Sequence, residues 1–135
     1  MLREAQTNIQ GHPKTGMIVI TDLVDNIKDI HPQNKHGVGE RLAEYAIGDH
    51  YGHHGHYRSP SFRSISINKN IATIKLEHAE TGLMIKGKKA TEWYIAGDDQ
   101  TFYPADVKIV KGNIQVSSKQ VKAPVAVRFA FSNEA

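Results

Sequence analysis

Apolar residues follow two different periods along the chain, and the period changes near residue 57. Before that point, a short unbroken apolar run, Met17–Ile20, precedes a segment with apolar residues at helical spacing. Beyond it, apolar and polar residues alternate in several short runs. An unbroken run predicts a strand buried on both faces, a period of about 3.6 residues predicts a helix, and alternation predicts half-buried strands. The pattern predicts an α+β chain with domains at 1–57 and 58–135.

The first region has the predicted order helix, strand, acidic loop, helix. Residues 2–10 resemble the last turns of a helix, and the second helix is predicted from one apolar face that ends near Gly48. The members of that face are Val38, Leu42, Tyr45 and Ala46. Glu40, Arg41 and Glu44 are predicted to lie on the solvent face. This order is typical of the closing unit of an α/β domain, in which ligands bind where the strands end.

The second region reads as a series of short strands separated by turns. Its alternating apolar positions are Ile65 and Ile67, Ala72, Ile74 and Leu76, Val107 and Ile109, Ile114 and Val116, and Val125, Val127, Phe129 and Phe131. Turn residues separate the runs, and Lys111-Gly112-Asn113 is typical of a tight hairpin. About seven strands at this spacing predict a mainly antiparallel β-sandwich.

Glycine and histidine dominate the segment that joins the two regions. Its histidines are His50, His53, His54 and His56. Imidazole is a good zinc ligand, but no carboxylate or cysteine completes a tetrahedral set at a familiar spacing. The segment is therefore predicted to be an exposed linker that holds no metal.

Composition narrows the classes of function. The chain has no cysteine, which excludes disulfides and thiolate chemistry, and no apolar run approaches the length of a membrane span. Its net charge is +3, with 5 basic against 7 acidic residues in 1–57 and 12 against 7 in 58–135. Because the basic residues of the second region are spread singly, with Lys88-Lys89 the one adjacent pair, neither nucleic acid nor a membrane is a predicted partner.

The candidate chemistry lies in Asp29-Ile30-His31-Pro32, which follows the predicted strand. Histidine is the usual general base because it takes and returns a proton near neutral pH when an acid orients its ring. Asp29, Asp25 and Asp22 are all close enough in sequence to be that acid. The alternative is a polar loop whose histidine caps a helix or bonds to backbone. No Gly-x-Ser-x-Gly motif precedes the loop, so a hydrolase site would be only partly contained in this chain.

These residues resemble a known family. Thr21-Asp22, Asn26, Asp29-Ile30-His31-Pro32-Gln33-Asn34-Lys35 and Val38-Gly39-Glu40-Arg41-Leu42-Ala43 are similar to the C-terminal active-site block of the sialate O-acetylesterases, which are SGNH hydrolases. Gly82-Leu83, Tyr94-Ile95-Ala96-Gly97-Asp98-Asp99, Phe102-Tyr103-Pro104-Ala105, Val116-Ser117-Ser118 and the run from Pro124 to Asn133 resemble the β-sandwich that follows the catalytic domain in that family. The resemblance spans nearly the whole chain.

The resemblance implies an esterase that removes O-acetyl groups from sialic acid or related sugars without a cofactor. His31 matches the family's catalytic histidine, and Asp29 is the first candidate for its acidic partner. The general SGNH pattern places the acid three residues before the histidine, where this chain has Lys28, so Asp25 is the second candidate. The family's nucleophile and oxyanion blocks precede the matched region. The chain is therefore expected to be a C-terminal portion, inactive alone, whose partners are the preceding catalytic segment and an O-acetylated sugar outside the cytosol, in a secreted or periplasmic protein.

The second region has two alternative roles. As a carbohydrate-binding module, it would use its aromatic residues as a sugar-stacking platform; as a structural module, it would bury them in its core. The aromatic residues are Trp93, Tyr94, Phe102 and Tyr103. Because aromatic residues of a small sandwich are more often part of the core, the structural role is favoured.

Overall fold

The computed structural model describes the backbone of residues 2 and 3, and residues 4–26, 28–29, 31, 33–53, 55 and 57–131 in full. The chain divides into two compact units, Met1–Ser59 and Pro60–Ala135, here called the first and the second unit. The helices lie in the first unit and antiparallel sheets in the second. The predicted α+β class is confirmed.

The first unit contains two α-helices, α1 (Leu2–Asn8) and α2 (Lys35–Asp49), and two short 3-10 helices, Ile9–Gly11 and Thr21–Leu23. Asn34 begins α2 as its N-cap, because its side-chain oxygen accepts a hydrogen bond from the Gly37 N–H at 2.9 Å. Both predicted helices are thus present. Neither is long and apolar enough to cross a membrane, and the same holds for every helix among the described residues.

The strand predicted at Met17–Ile20 is not formed in the structure. These residues belong to no helix or strand, and the described part of the first unit contains no strand with which they could pair. The Val19 side chain is 43% exposed, and the Val19 carbonyl accepts a hydrogen bond from Arg41 at 2.6 Å. A strand requires a hydrogen-bonding neighbour, and an apolar run alone does not supply one.

The buried face of α2 is rotated from the predicted one. Its half-buried residues are Gly37, Val38, Arg41, Tyr45 and Gly48. Leu42 is 53% exposed, whereas Arg41, predicted to face solvent, is half-buried. The Tyr45 ring occupies the space that a Cβ on Gly16 would need, and it meets the Tyr57 ring edge-on at 5.8 Å between centroids. The segment before the acidic loop therefore packs closely on α2.

The described part of the second unit contains seven strands. They are β1 (Ser61–Asn68), β2 (Ile71–Glu77), β3 (Trp93–Ala96), β4 (Tyr103–Pro104), β5 (Asp106–Val110), β6 (Asn113–Ser117) and β7 (Ala126–Phe129). One antiparallel sheet has the order β1-β2-β6-β5, and the other has the order β4-β3-β7.

The turns that join neighbouring strands follow from local sequence. Asn68 pairs with Ile71, so β1 and β2 are joined by a two-residue loop. Val110 pairs with Asn113, and the two residues between them, Lys111 and Gly112, have φ values of 50° and 75°. Two positive φ angles define the type I′ turn, whose twist suits a β-hairpin. The predicted tight hairpin is confirmed.

The apolar core of the second unit takes residues from both sheets. Its buried members are Ala72, Ile74, Ile95, Ala105, Val116 and Val121. Trp93 and Tyr103 are partly buried and pack against this cluster, which confirms that these two aromatic residues belong to the core. The alternation predicted for β2 is confirmed, because Ala72 and Ile74 are buried between more exposed neighbours. In β6, Val116 is buried as predicted, whereas Ile114 and the polar residues beside it are all half-buried.

Candidate active site

The predicted site lies in the loop between the 3-10 helix Thr21–Leu23 and α2. Asn26 forms a turn within this loop: its side-chain oxygen accepts from the Lys28 N–H at 3.0 Å, and its main-chain oxygen accepts from the Asp29 N–H at 3.0 Å. Asparagine favours such turns because its short side chain can bond to backbone two residues on. The turn fixes the backbone of Asp29 two residues before His31.

Asp29 and His31 are in direct contact. One carboxylate oxygen, Asp29 Oδ1, accepts the main-chain N–H of His31 at 2.9 Å and lies 3.1 Å from His31 Nδ1. With Nδ1 protonated, this contact is a hydrogen bond from the ring to the carboxylate, and Nε2 is then the proton acceptor. The arrangement is what a histidine base needs, since an acid holds one ring nitrogen and leaves the other for a substrate or nucleophile.

The pair faces outward. The His31 side chain is 76% exposed, and the Asp29 side chain is 44% exposed. No hydrogen bond involves His31 Nε2 within the described part of the chain. The ring is therefore oriented by Asp29 and accessible to another molecule or to another part of a protein.

The other two acidic candidates have different surroundings. Asp22 is bound by Arg41, and Asp25 makes no contact with His31 among the residues described. Asp29 is thus the acid that the structure brings to His31. Ile30 and Pro32, which complete the motif, lie outside the described residues.

Arg41 binds the segment that leads into the loop. Its guanidinium donates to both carboxylate oxygens of Asp22, at 2.7 and 2.6 Å, and to the Val19 carbonyl at 2.6 Å. The hydrogen bond to Asp22 raises the pKa of Arg41 above its ordinary value, against a smaller opposing effect of burial. Because Asn34 caps α2 at the far end, both ends of the loop that carries Asp29 and His31 are attached to the same helix.

Sequence analysis missed Arg41, although a signal was present. Arg41 follows Val38 by three residues and precedes Tyr45 by four, and side chains at these spacings share one face of a helix. An arginine on the buried face of a helix beside an acidic segment indicates an ion pair.

The described residues contain no group of three histidine, cysteine, aspartate or glutamate side chains that could hold a metal ion. His50 meets the ring of Tyr51 edge-on at 5.1 Å. His54 and His56 of the histidine-rich segment lie outside the described residues.

The loop offers an acid and a base but no alcohol or thiol. Residues 24–34 contain no serine, threonine or cysteine, and the first serine of the sequence is Ser59. The loop itself can orient and exchange a proton, whereas nucleophilic catalysis would require a side chain from elsewhere.

Comparison with known proteins gives one informative likeness. No family model matches the chain, and no curated protein matches it. Among solved structures, the chain is similar to XAC1771, a carbohydrate acetylesterase from Xanthomonas citri, with 37% sequence identity and a TM-score of 0.90. The match covers 98% of this chain and 31% of that protein, so the chain spans about a third of its length. The chain is thus similar to one part of a carbohydrate acetylesterase.

Proposed function

We propose that this chain is the C-terminal portion of a carbohydrate O-acetylesterase of the SGNH class, of the sialate type, and that it supplies His31 and Asp29 to a Ser-His-Asp site. The observation that carries the proposal is the 3.1 Å contact between Asp29 Oδ1 and His31 Nδ1. It occurs in a chain of which 98% matches part of a carbohydrate acetylesterase.

In the proposed reaction, Asp29 holds the Nδ1–H of His31, so that Nε2 is free to take a proton. Nε2 removes the proton of a serine hydroxyl as the serine oxygen attacks the acetyl carbonyl of the substrate. The imidazolium then protonates the leaving sugar oxygen as the ester bond breaks, and the acetyl group stays on the serine. Water, deprotonated by the same Nε2, attacks the acetyl carbonyl. The bond to the serine oxygen then breaks, the imidazolium returns its proton to that oxygen, and acetate leaves.

The serine and the oxyanion donors come from a segment that precedes this chain in the parent protein. Without them, the acid and base cannot form an acyl-enzyme or stabilise its tetrahedral intermediates. We therefore expect the chain alone to release no acetate. The preceding segment and the O-acetylated sugar are its proposed partners, and a secreted or periplasmic parent fits a glycan substrate.

The test is acetate release from an O-acetylated sugar by the parent protein, with His31→Ala compared with His36→Ala. His36 is an exposed histidine on α2 that lies 3.4 Å from Glu40, so its replacement controls for the loss of an exposed imidazole near the loop. Loss of a triad histidine lowers kcat by roughly 10⁴- to 10⁶-fold. We expect that loss for His31→Ala and nearly full activity for His36→Ala.

Unchanged acetate release by His31→Ala would contradict the proposal. So would equal losses in the two variants, since the effect would then belong to the helix and not to the Asp29–His31 pair.

A further inference from the structure

The second unit contains an open apolar pocket of about 350 Å³. Trp93 and Phe129 form one wall, with their rings stacked at 4.4 Å between centroids and 24° between planes. Phe129 remains 58% exposed, and Met84, which also lines the pocket, is 87% exposed. Ligand pockets in proteins are concave, mainly apolar and roughly 300–1,000 Å³ in volume. The pocket has the size and lining of a small-ligand site.

The other wall is a long loop. Residues 78–92 connect β2 to β3 without a helix or strand, and Leu83–Lys86 lie along the pocket. Gly82 and Gly87, which flank this run, have φ values of 94° and 96°, a conformation that side-chain-bearing residues rarely adopt. Loops of this length without regular structure are uncommon, and are usually either functional loops or linker and disordered segments. The two glycines set the course of the loop along the pocket.

The charged groups of the pocket carry one uncompensated positive charge. Lys86 and Lys89 both line it. The Lys89 ammonium lies 3.3 Å from Asp106 Oδ1, whereas Lys86 has no ion-pair partner in the described part of the chain. The pocket thus combines an apolar wall that includes two stacked aromatic rings with one unpaired lysine.

We propose that this pocket of the second unit is a glycan-recognition site that binds a sugar unit carrying a carboxylate. A pyranose ring has an apolar C–H face that suits the wall containing Trp93 and Phe129, and an acidic sugar also has a carboxylate that can pair with Lys86. The choice of a sugar rests on the proposed function. The apolar wall and the unpaired charge do not depend on it.

Trp93 is the single tryptophan of the chain, so its fluorescence reports directly on this pocket. The complete chain is titrated with methyl glucuronide and with methyl glucoside, which differ only at C6, where the glucuronide has a carboxylate and the glucoside has a hydroxymethyl group. We expect a saturable change in Trp93 emission with the glucuronide, affinity that falls as sodium chloride is raised, and binding of the glucoside that is about threefold to fivefold weaker.

Two pairs of variants separate the contribution of the Lys86 charge to sugar binding from that of the apolar wall. Lys86→Ala should weaken glucuronide binding about threefold to fivefold and leave glucoside binding unchanged, while Lys88→Ala, at a neighbouring lysine outside the pocket, should bind as the unaltered chain does. Phe129→Leu should weaken both sugars by roughly twofold to tenfold, in contrast to Phe62→Leu, at an exposed phenylalanine of β1. Lys86 is exposed, so the fold does not depend on it.

A chain whose Trp93 emission responds to neither sugar overturns the proposal, and equal binding of the two sugars overturns the assignment of the carboxylate to Lys86. If the preceding segment of the parent protein changes Trp93 emission and abolishes the sugar response, the pocket is an interface with that segment and the proposal is wrong. Sugar binding without acetate release by the parent would overturn the proposed function alone. Acetate release by the parent without any response of Trp93 emission to either sugar would overturn the sugar-binding proposal for the pocket alone.

Discussion

The two units of the chain are stabilised differently. The second unit has a buried apolar cluster that includes Ile95 and Val116, both completely buried. In the first unit, none of the described residues is buried, and the named contacts are largely polar or aromatic at its surface: Arg41 with Asp22, and Arg58 with Asp49 and the rings of Tyr45 and Tyr57.

The difference matters because these contacts have unequal energies. Burying one large aliphatic side chain contributes about 1.5–3 kcal/mol, whereas an exposed ion pair contributes about 0–1 kcal/mol. The second unit is therefore stabilised by its own apolar core. The Asp29–His31 pair lies in the weaker unit, as is common for groups that meet a substrate or a partner segment.

The largest expected effect tests whether Asp29 and His31, in the first unit, act together in acetate release. Asp29→Asn in the parent protein should lower kcat by roughly 10⁴-fold, which is about 5 kcal/mol of transition-state stabilisation. Both contacts of Asp29 with His31 go to the single atom Oδ1. An amide that keeps its oxygen there lacks the negative charge that stabilises the imidazolium, and an amide that places its NH₂ group there loses the main-chain hydrogen bond and favours the wrong tautomer of the ring. Acetate release measures the loss.

Asp25→Asn is the matched control, because it removes a carboxylate from the same loop without touching His31. We expect nearly full activity. A large loss for Asp25→Asn with little for Asp29→Asn would mean that the acid and histidine pair differently in the assembled enzyme.

The next effect tests whether the second unit is stable independently of the first unit. Ile95→Ala removes a completely buried side chain and should lower the free energy of unfolding of the second unit by about 2–5 kcal/mol. Urea unfolding can follow the units separately, because Trp93 reports the second unit and the far-UV helical signal reports α1 and α2 in the first. We expect the Trp93 transition to move and the helical transition to stay.

Ile67→Ala, at a β1 side chain that is 46% exposed, should move the Trp93 transition far less. If Ile95→Ala shifts both transitions equally, the two units unfold as one. That result would contradict the conclusion that the second unit is stabilised by its own core.

Features that depend on local chemistry could be predicted from the sequence. Lys111-Gly112 predicted its hairpin because positive φ angles suit such a turn, and the alternation at Ala72 and Ile74 predicted the buried side of β2. The spacing of Asp29 and His31 indicated that they could meet, and they do. Their catalytic roles stay predictions.

Features that depend on distant partners were predicted incorrectly. The Met17–Ile20 run is as apolar as a buried strand, but a strand forms only where another strand offers its backbone groups. Arg41 was assigned to solvent because its charge, considered alone, favours water. Its carboxylate partner, Asp22, lies 19 residues earlier in the sequence, and that pairing reverses the preference.

The smallest expected effect concerns the link between Arg41 and the loop. Arg41→Lys keeps the positive charge but cannot donate in parallel to both oxygens of Asp22 and also to the Val19 carbonyl. We expect kcat in the parent protein to fall about tenfold with little change in KM, because the loop that carries Asp29 and His31 loses one of its two attachments to α2 while its charges stay the same.

Arg58→Lys is the matched control, since Arg58 pairs with Asp49 at the other end of α2. Equal losses in the two variants would show that general weakening of α2 causes the effect, whereas a loss confined to Arg41→Lys, with an unchanged helical signal, identifies Arg41 as a positioning residue for the pair.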